Sequence, residues 1–279
     1  MQQIDTTVFS SLASKFDKYV HTQDKNADLL NFIDGNSLLV KEEGYKSRIP
    51  ANARSILNSD EWDESWCGNG EISTRINKAM DLAGNLINFN SKIDFRRHFE
   101  DDRKEYNPDS ERAIYEIFKG SDDQAAFEHA MTVFGAKYPI LSYLFFIKDE
   151  NRYLPASPEK IDNAFKELNI DMKLSYNCGW QNYCQYLELV REIGKLMPKY
   201  IDISHEVRLL DAHSFVWIVG EKRFRDWTED TKDINTPLLP KKTIRDENGL
   251  IRYQCPKCEY LLKISERCPE CGQLIIQQN

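Results

Sequence analysis

Two short cysteine motifs near the end of the chain constrain its fold more than any other feature. Cys255-Pro-Lys-Cys258 and Cys268-Pro-Glu-Cys271 are separated by nine residues, and Gly272 follows the second motif. A CxxC turn presents two thiolates at the separation that a tetrahedral zinc ion requires. Repeated CPxC turns are typical of zinc ribbons and rubredoxin-like sites. The sequence therefore predicts a small C-terminal β zinc ribbon whose ligands are Cys255, Cys258, Cys268 and Cys271.

The predicted metal site has a structural role. Four protein ligands leave no open position for a water molecule, which zinc catalysis needs. The ion instead stabilises a segment whose hydrophobic core is too small to fold alone. Iron can occupy an isolated four-thiolate site in a recombinant protein, but zinc is the expected cofactor.

The remaining cysteines indicate the cellular compartment. Cys67, Cys178 and Cys184 lie outside the two motifs, and an odd total of seven with two CxxC pairs is typical of a reducing compartment. The N-terminal residues show no basic segment followed by an apolar one. The longest apolar run, Tyr138 to Ile147, is about half the length needed to span a bilayer. A cytoplasmic protein without a membrane partner is expected.

Charge is distributed unevenly along the 279 residues, whose formal net charge is −8. Residues 1–220 contain 26 Lys and Arg against 35 Asp and Glu, while residues 221–279 contain 11 against 10. An acidic body argues against broad wrapping of nucleic acid, so a local patch in the tail is the better candidate. Acidic residues dilute that patch, which leaves protein contact as an equal alternative. The basic residues predicted to contact phosphates there are Lys241, Lys242, Arg245, Arg252 and Lys257.

The pattern of apolar residues predicts a mainly helical domain at 1–219, a linker or arm at 220–242 and the ribbon at 243–279. Val8, Leu12 and Phe16 recur at four-residue spacing, as on one face of a helix. The segment 138–148 is apolar nearly all round, so periodicity leaves a buried helix and a buried strand both open. Asn248-Gly249 favours a type I′ turn in a tight hairpin that leads into Cys255.

The body carries no recognisable catalytic motif. A Walker loop, a dinucleotide fingerprint and a nucleophile elbow are all absent from the sequence. His205, Asp211 and His213 lack metal-site spacing and are interpreted as a helix cap plus a core histidine. Asp109, with Glu116 and Lys119, only loosely resembles a nuclease carboxylate motif, and its spacing is wrong. No catalytic residue is predicted.

Four segments of the body resemble a known kind of domain. They are Tyr138 to Asp149, Arg152 to Pro155, Cys178 to Tyr183, and Leu210 to Trp217, in that order. Together they resemble the helical domain found ahead of HNH nuclease modules in bacterial restriction-type or defence proteins, over roughly residues 60–218. The resemblance implies recognition of DNA, including modified DNA. It points to the segment that contains Trp180, Asn182 and Tyr183, which either binds a base or braces a helix.

The sequence departs from that family after Trp217, where the zinc ribbon stands in place of a His-Asn-His signature. Nuclease activity is therefore not carried over. The leading hypothesis is a non-catalytic DNA-binding or sensing protein of a bacterial defence or regulatory system. One alternative is a scaffold subunit that docks a protein partner through the ribbon. A metal-dependent nuclease with an unrecognised site is the second alternative.

Overall fold

The chain folds mainly into α-helices, as the sequence predicts. The computed structural model describes residues 4–23, 29–33, 39–40, 43–99, 106–228, 240, 242–245, 251–256, 261–262, 267–268 and 275. The principal helices are α1 (Thr6–Gln23), α2 (Tyr45–Leu57), α3 (Glu71–Asp81), α4 (Phe89–Arg97), α5 (Pro108–Lys119), α6 (Asp123–Phe134), α7 (Tyr138–Lys148), α8 (Pro158–Glu167), α9 (Trp180–Tyr200), α10 (Leu209–Gly220) and α11 (Lys222–Arg225). None of the helices within these ranges has the length and apolar character needed to span a bilayer.

Helix α7 corresponds to the apolar segment 138–148, whose sequence pattern is compatible with either a buried helix or a buried strand. Its residues from Ile140 to Ile147 are all buried, which explains why no polar face marks the helical period. Two hydroxyl groups inside it are satisfied. Tyr143 Oη donates to the carbonyl of Ala79 at 2.7 Å, and Ser142 Oγ accepts from the backbone N–H of Ala156 at 2.8 Å. The helix is therefore the centre of the body.

Helices α8 and α10 approach each other very closely at one glycine. A Cβ atom added to Gly220 would lie 2.0 Å from the carbonyl oxygen of Lys160. A backbone oxygen cannot move aside as a flexible side chain can, so the contact requires glycine at this position. The contact also fixes Lys160 beside the C-terminal end of α10.

A buried carboxylate from another helix caps the N-terminus of helix α3. Glu111, on α5, accepts backbone N–H groups from Gly68 at 2.6 Å, Gly70 at 3.1 Å and Ser73 at 2.7 Å. The first N–H groups of a helix lack partners within it and carry partial positive charge. Glu111 is fully buried and supplies the missing acceptor, which joins α5 to the loop before α3.

The body continues past the boundary at residue 219. Phe224 and Trp227 belong to the same buried core as α1 and α10. Phe224 lies 5.3 Å from the ring of Tyr19, and Trp227 lies 5.8 Å from it. The first residues of the segment interpreted as a linker therefore pack onto the helical body.

Three short antiparallel strands follow, β1 (Lys242–Arg245), β2 (Ile251–Gln254) and β3 (Leu261–Leu262), in the order β1-β2-β3. Arg245 pairs with Ile251, which leaves five residues between the paired ends of the hairpin. Asn248 and Gly249 themselves lie outside the described residues.

Candidate functional site

Two of the predicted zinc ligands lie together in a small cluster of their own. Cys255 and Cys268 are 0% and 1% exposed and pack with Tyr253 and Ile275, separately from the core of the body. Cys258 and Cys271 lie outside the described residues. Within the described ranges, no group of three or more His, Cys, Asp or Glu side chains is arranged to hold a metal ion.

The chemistry of the described cysteines fits the predicted ion. Two thiols buried next to an aromatic and an aliphatic side chain are soft donors in a water-poor setting, which suits zinc. The prediction needs Cys258 and Cys271 to supply the other two thiolates.

The aromatic segment at the start of α9 is part of the core. Tyr183 is fully buried, stacks on Phe127 at 5.7 Å and donates from its hydroxyl to the carbonyl of Leu154 at 2.7 Å. Trp180 is partly buried and lies 5.4 Å from Phe145. Asn182, in the first turn of the helix, donates to the carbonyl of Asn177 in the preceding loop at 2.9 Å. The segment braces the helix, and the ring of Tyr183 has no surface on which a base could stack.

The basic residues predicted to contact nucleic acid lie on or near the strands. Lys242 and Arg245 are the first and last residues of β1, and Arg245 is exposed. Arg252 is half-buried on β2. Lys241 and Lys257 lie outside the described residues.

The histidine and aspartate candidates form no metal site. His205 Nε2 lies 3.1 Å from Asp211 Oδ2, and Asp211 also accepts from the backbone N–H of Arg208 at 2.9 Å. His213 is buried on another side of the helix, with Nε2 3.0 Å from the carbonyl of Pro155. The interpretation as a helix cap plus a core histidine is confirmed.

Two acidic residues of α5 that loosely resemble a nuclease motif contact a histidine of α6. Glu116 and Asp109 contact the two ring nitrogens of His129 at 2.7 Å and 3.2 Å. Lys119 donates to the carbonyl of Asp60 at 3.2 Å. The carboxylates therefore join α5 to α6, in an arrangement that differs from the strand-borne carboxylates of a nuclease.

A polar cleft that the sequence analysis missed opens between α2, α8 and the α10–α11 junction. Its volume is about 790 Å³, which lies within the range of small-molecule sites. Apart from Trp217 and Gly220, every lining residue has a polar or charged side chain. The lining residues are Glu43, Tyr45, Asn85, Ser157, Glu159, Lys160, Asn163, Trp217, Gly220, Glu221, Lys222, Arg223 and Arg225.

A buried ion pair supports one wall of the cleft. Lys46 is fully buried and pairs with Glu43. Burial lowers the pKa of Lys46 and raises the pKa of Glu43, while the attraction between the two groups opposes both shifts. Removing two charges from water costs free energy that their mutual attraction does not always recover, so this buried pair is not counted here as a source of stability.

Trp217 lines the cleft and also contacts the lysine of this pair. The Nζ atoms of Lys46 and Lys160 are each 4.2 Å from the centroid of its ring. The electron-rich face of an indole attracts ammonium groups and is the best of the aromatic rings for that purpose. It holds two like charges near each other, and the proximity of Lys160 contributes to the lowered pKa of Lys46.

Glu221 binds two cationic side chains that line the cleft. It accepts from Lys160 Nζ at 2.8 Å and from Arg223 Nε at 2.5 Å. Another donor nearby is unsatisfied, because Nε of Arg225 is buried without a hydrogen-bond partner among the described residues. The cleft is therefore lined by both cations and carboxylates, and Glu221 already binds two of the cations.

Sequence reasoning missed the cleft because its residues come from four separated segments. The run from Glu221 to Arg225 carried the clearest signal, since three of its five residues are basic. The sequence pattern assigns this run to the beginning of the linker predicted at 220–242. Comparisons of the chain with protein-family models, with curated proteins and with solved structures gave no match.

Proposed function

We propose that the protein is a non-catalytic DNA-binding or sensing protein of a bacterial defence, restriction-type or regulatory system. In this proposal the helical body corresponds to the domain found ahead of HNH modules, and a zinc ribbon takes the place of the nuclease. The protein acts in the cytoplasm, and modified DNA is included among its ligands.

The observation that carries the proposal is the hairpin beside the buried cysteines. Its pairing assigns positions 242, 244, 252 and 254 to one face and positions 243, 245, 251 and 253 to the other. Tyr253 is buried with Cys255 and Cys268, so its face is the inner one at that point. Arg252 occupies a position of the opposite face, where a basic residue can contact a phosphate.

The proposed zinc site supports that surface. Cys255, Cys258, Cys268 and Cys271 bind one ion and fix the hairpin relative to the second CxxC turn. Because the ligand set is closed, the ion has no catalytic role. Binding free energy for such a site is at the same time folding free energy of the ribbon.

DNA binding tests this proposal directly. Fluorescence anisotropy with unmodified and base-modified duplexes should show binding at low salt that weakens as salt rises. Replacing Lys242 and Arg252 together by Gln should reduce the salt dependence, whereas Lys195→Gln, an exposed site on α9, serves as the matched control. Absence of binding to every duplex at low salt would refute the proposal. Cleavage of DNA with Mg²⁺ or Mn²⁺ would select the nuclease alternative.

A scaffold role is the second candidate, and the acidic charge of the body favours it. In that case the ribbon docks a protein partner. Recovery of one stable partner in a nuclease-treated extract, lost in a Cys268→Ser variant and retained in the Lys242 and Arg252 double variant, would select this role.

A further inference from the structure

We propose that the cleft lined by α2, α8 and the α10–α11 junction binds a neutral saccharide, that is, a free mono- or disaccharide recognised through its hydroxyl groups. The site lies in the helical body, so the proposal goes beyond the binding of DNA by the ribbon and does not depend on it. The volume of about 790 Å³ has room for such a ligand together with bridging water molecules.

The charged side chains of the cleft give little preference for a charged ligand. Glu221 already binds Lys160 and Arg223, and Glu43 binds the buried Lys46. Opposite charges that lie side by side attract and repel an approaching ion at the same time, so their effects largely cancel. This pairing favours a neutral ligand over an anion or a cation.

Four neutral polar side chains of the lining are available to a ligand. Tyr45, Asn85, Ser157 and Asn163 make no side-chain hydrogen bond within the part of the chain that the structure describes. Ser157 directly precedes α8, where a serine commonly caps the helix, yet its hydroxyl caps no backbone N–H. Asn85 is exposed and the other three side chains are half-buried, so all four are open to the cleft.

The chemistry of these four groups matches the hydroxyls of a sugar. Each amide and each hydroxyl can both donate and accept a hydrogen bond, as a sugar hydroxyl does. Two neighbouring sugar hydroxyls can therefore pair with one asparagine, one as donor and the other as acceptor. An acyl chain would cover the same groups without pairing them, which costs free energy for every polar group removed from water.

The aromatic residues of the lining favour a saccharide over a nucleobase. Trp217 is only 9% exposed, and the ammonium groups of Lys46 and Lys160 each lie 4.2 Å from the centre of its ring. A flat base therefore has no open indole face on which to stack. Recognition in this cleft depends on hydrogen bonds, which the four neutral side chains provide.

Two substitutions remove these hydrogen bonds while keeping the cleft. Tyr45→Phe removes only the hydroxyl, and Asn163→Ala removes the amide from the surface of α8. Each should weaken saccharide binding by about three- to tenfold. The matched controls are Tyr176→Phe and Asn90→Ala, at exposed residues outside the lining, and both should bind as the unmodified chain does.

The experiment is saturation-transfer NMR and isothermal titration of the full chain with D-glucose, D-galactose, D-ribose and maltose, with glucose 6-phosphate as the charged comparison. Thermal unfolding of every variant checks that it is folded. We expect at least one neutral saccharide to bind, with an affinity that stays constant between about 50 mM and 200 mM salt, whereas DNA binding by the ribbon weakens over that range. Glucose 6-phosphate should bind no more tightly than glucose.

Three results would overturn the proposal. One is the failure of all four neutral saccharides to bind, and another is tighter binding of glucose 6-phosphate than of glucose. The third is undiminished binding in both folded variants, Tyr45→Phe and Asn163→Ala, which would place the saccharide elsewhere. None of these results bears on DNA binding by the ribbon.

Discussion

The helical body and the C-terminal strands differ greatly in how much apolar packing supports them. The body buries large side chains from nearly every helix, including Phe16, Leu144 and Tyr183 with no exposed surface. The separate cluster beside the strands comprises Tyr253, Cys255, Cys268 and Ile275 among the described residues. Burial of apolar surface is the dominant favourable contribution to folding, so the body is self-supporting. A cluster of four residues is far below that scale, which is why we assign its stability to a metal ion.

The largest expected effect is the loss of that ion. Cys268→Ser should release zinc and unfold residues from about 243 onward, because ion binding supplies on the order of 10 kcal/mol of folding free energy. The thermal transition of the body should stay unchanged. Hydrogen exchange measured by mass spectrometry distinguishes the two regions. Cys184→Ser, at a partly buried thiol on α9, is the control and should retain zinc. A Cys268→Ser protein whose body also lost its transition would contradict the two-part division.

A cavity in the body should destabilise the body and leave the zinc site intact. Phe16 is fully buried, and its ring lies 4.9 Å from Phe215 and 6.3 Å from Phe224. Phe16→Ala should lower the free energy of unfolding of the body by about 3–5 kcal/mol while zinc remains bound. Guanidinium unfolding followed by tryptophan fluorescence measures the change, and metal analysis of the folded protein checks the ribbon. Simultaneous loss of zinc would show that the regions fold as one unit.

A smaller effect is expected from the carboxylate that closes α3. Glu111→Gln keeps the size of the side chain but removes the charge that receives three backbone N–H groups. Charge-assisted hydrogen bonds of this kind contribute about 1.5–3 kcal/mol, and the loss of stability should fall in that range. The matched control is Glu188→Gln, an exposed residue of α9, which should change stability by less than about 0.5 kcal/mol. Equal effects of the two substitutions would contradict the role assigned to Glu111.

The smallest effect is a difference in pH dependence between the two regions. Burial lowers the pKa of His129, but the hydrogen bonds and charges of Glu116 and Asp109 outweigh it and raise the pKa overall. A raised folded-state pKa adds stability that is complete below the unfolded value of about 6.5 and is lost as pH rises through the folded value. For this partly exposed group we expect less than about 1 kcal/mol.

The ribbon should respond to pH in the opposite direction, because zinc binds thiolates and protonation releases it. Unfolding of the body at a series of pH values, compared with zinc retention at the same values, tests the contrast. His129→Gln should flatten the pH dependence of body stability above pH 6.5 and leave the pH dependence of zinc retention unchanged. If the pH dependence of body stability did not change in this variant, the stabilising role assigned to His129 would be contradicted.

Local signals allowed much of the body to be predicted from its sequence. The helical class, the amphipathic face that includes Val8 and Phe16, and the core histidine His213 all follow from spacing alone. Helix α7 could not be assigned because a segment buried on every side has no polar face to mark its period. The predicted linker begins too early in the sequence. Phe224 and Trp227 pack into the core of the body, but the charged residues around them give that segment no apolar periodicity.

The candidate sites were harder to predict, for different physical reasons. The cysteine motifs are local, so their spacing alone predicts a metal site. Trp180 and Tyr183 belong to an aromatic cluster whose members are distant in sequence, and a sequence motif does not distinguish packing from base stacking. The cleft depends on the close contact of Gly220 with α8, which brings Lys160 to Glu221 across 61 positions of the chain. No local pattern encodes that proximity.

The most direct test of the zinc assignment is the metal content and coordination of the purified 279-residue chain. Native mass spectrometry should show one zinc ion per chain, and X-ray absorption should show four sulfur ligands at about 2.3 Å. A chain that holds no metal while β1 and β2 remain protected from hydrogen exchange would contradict the assignment of ribbon stability to zinc. Coordination by nitrogen or oxygen would contradict the predicted ligand set.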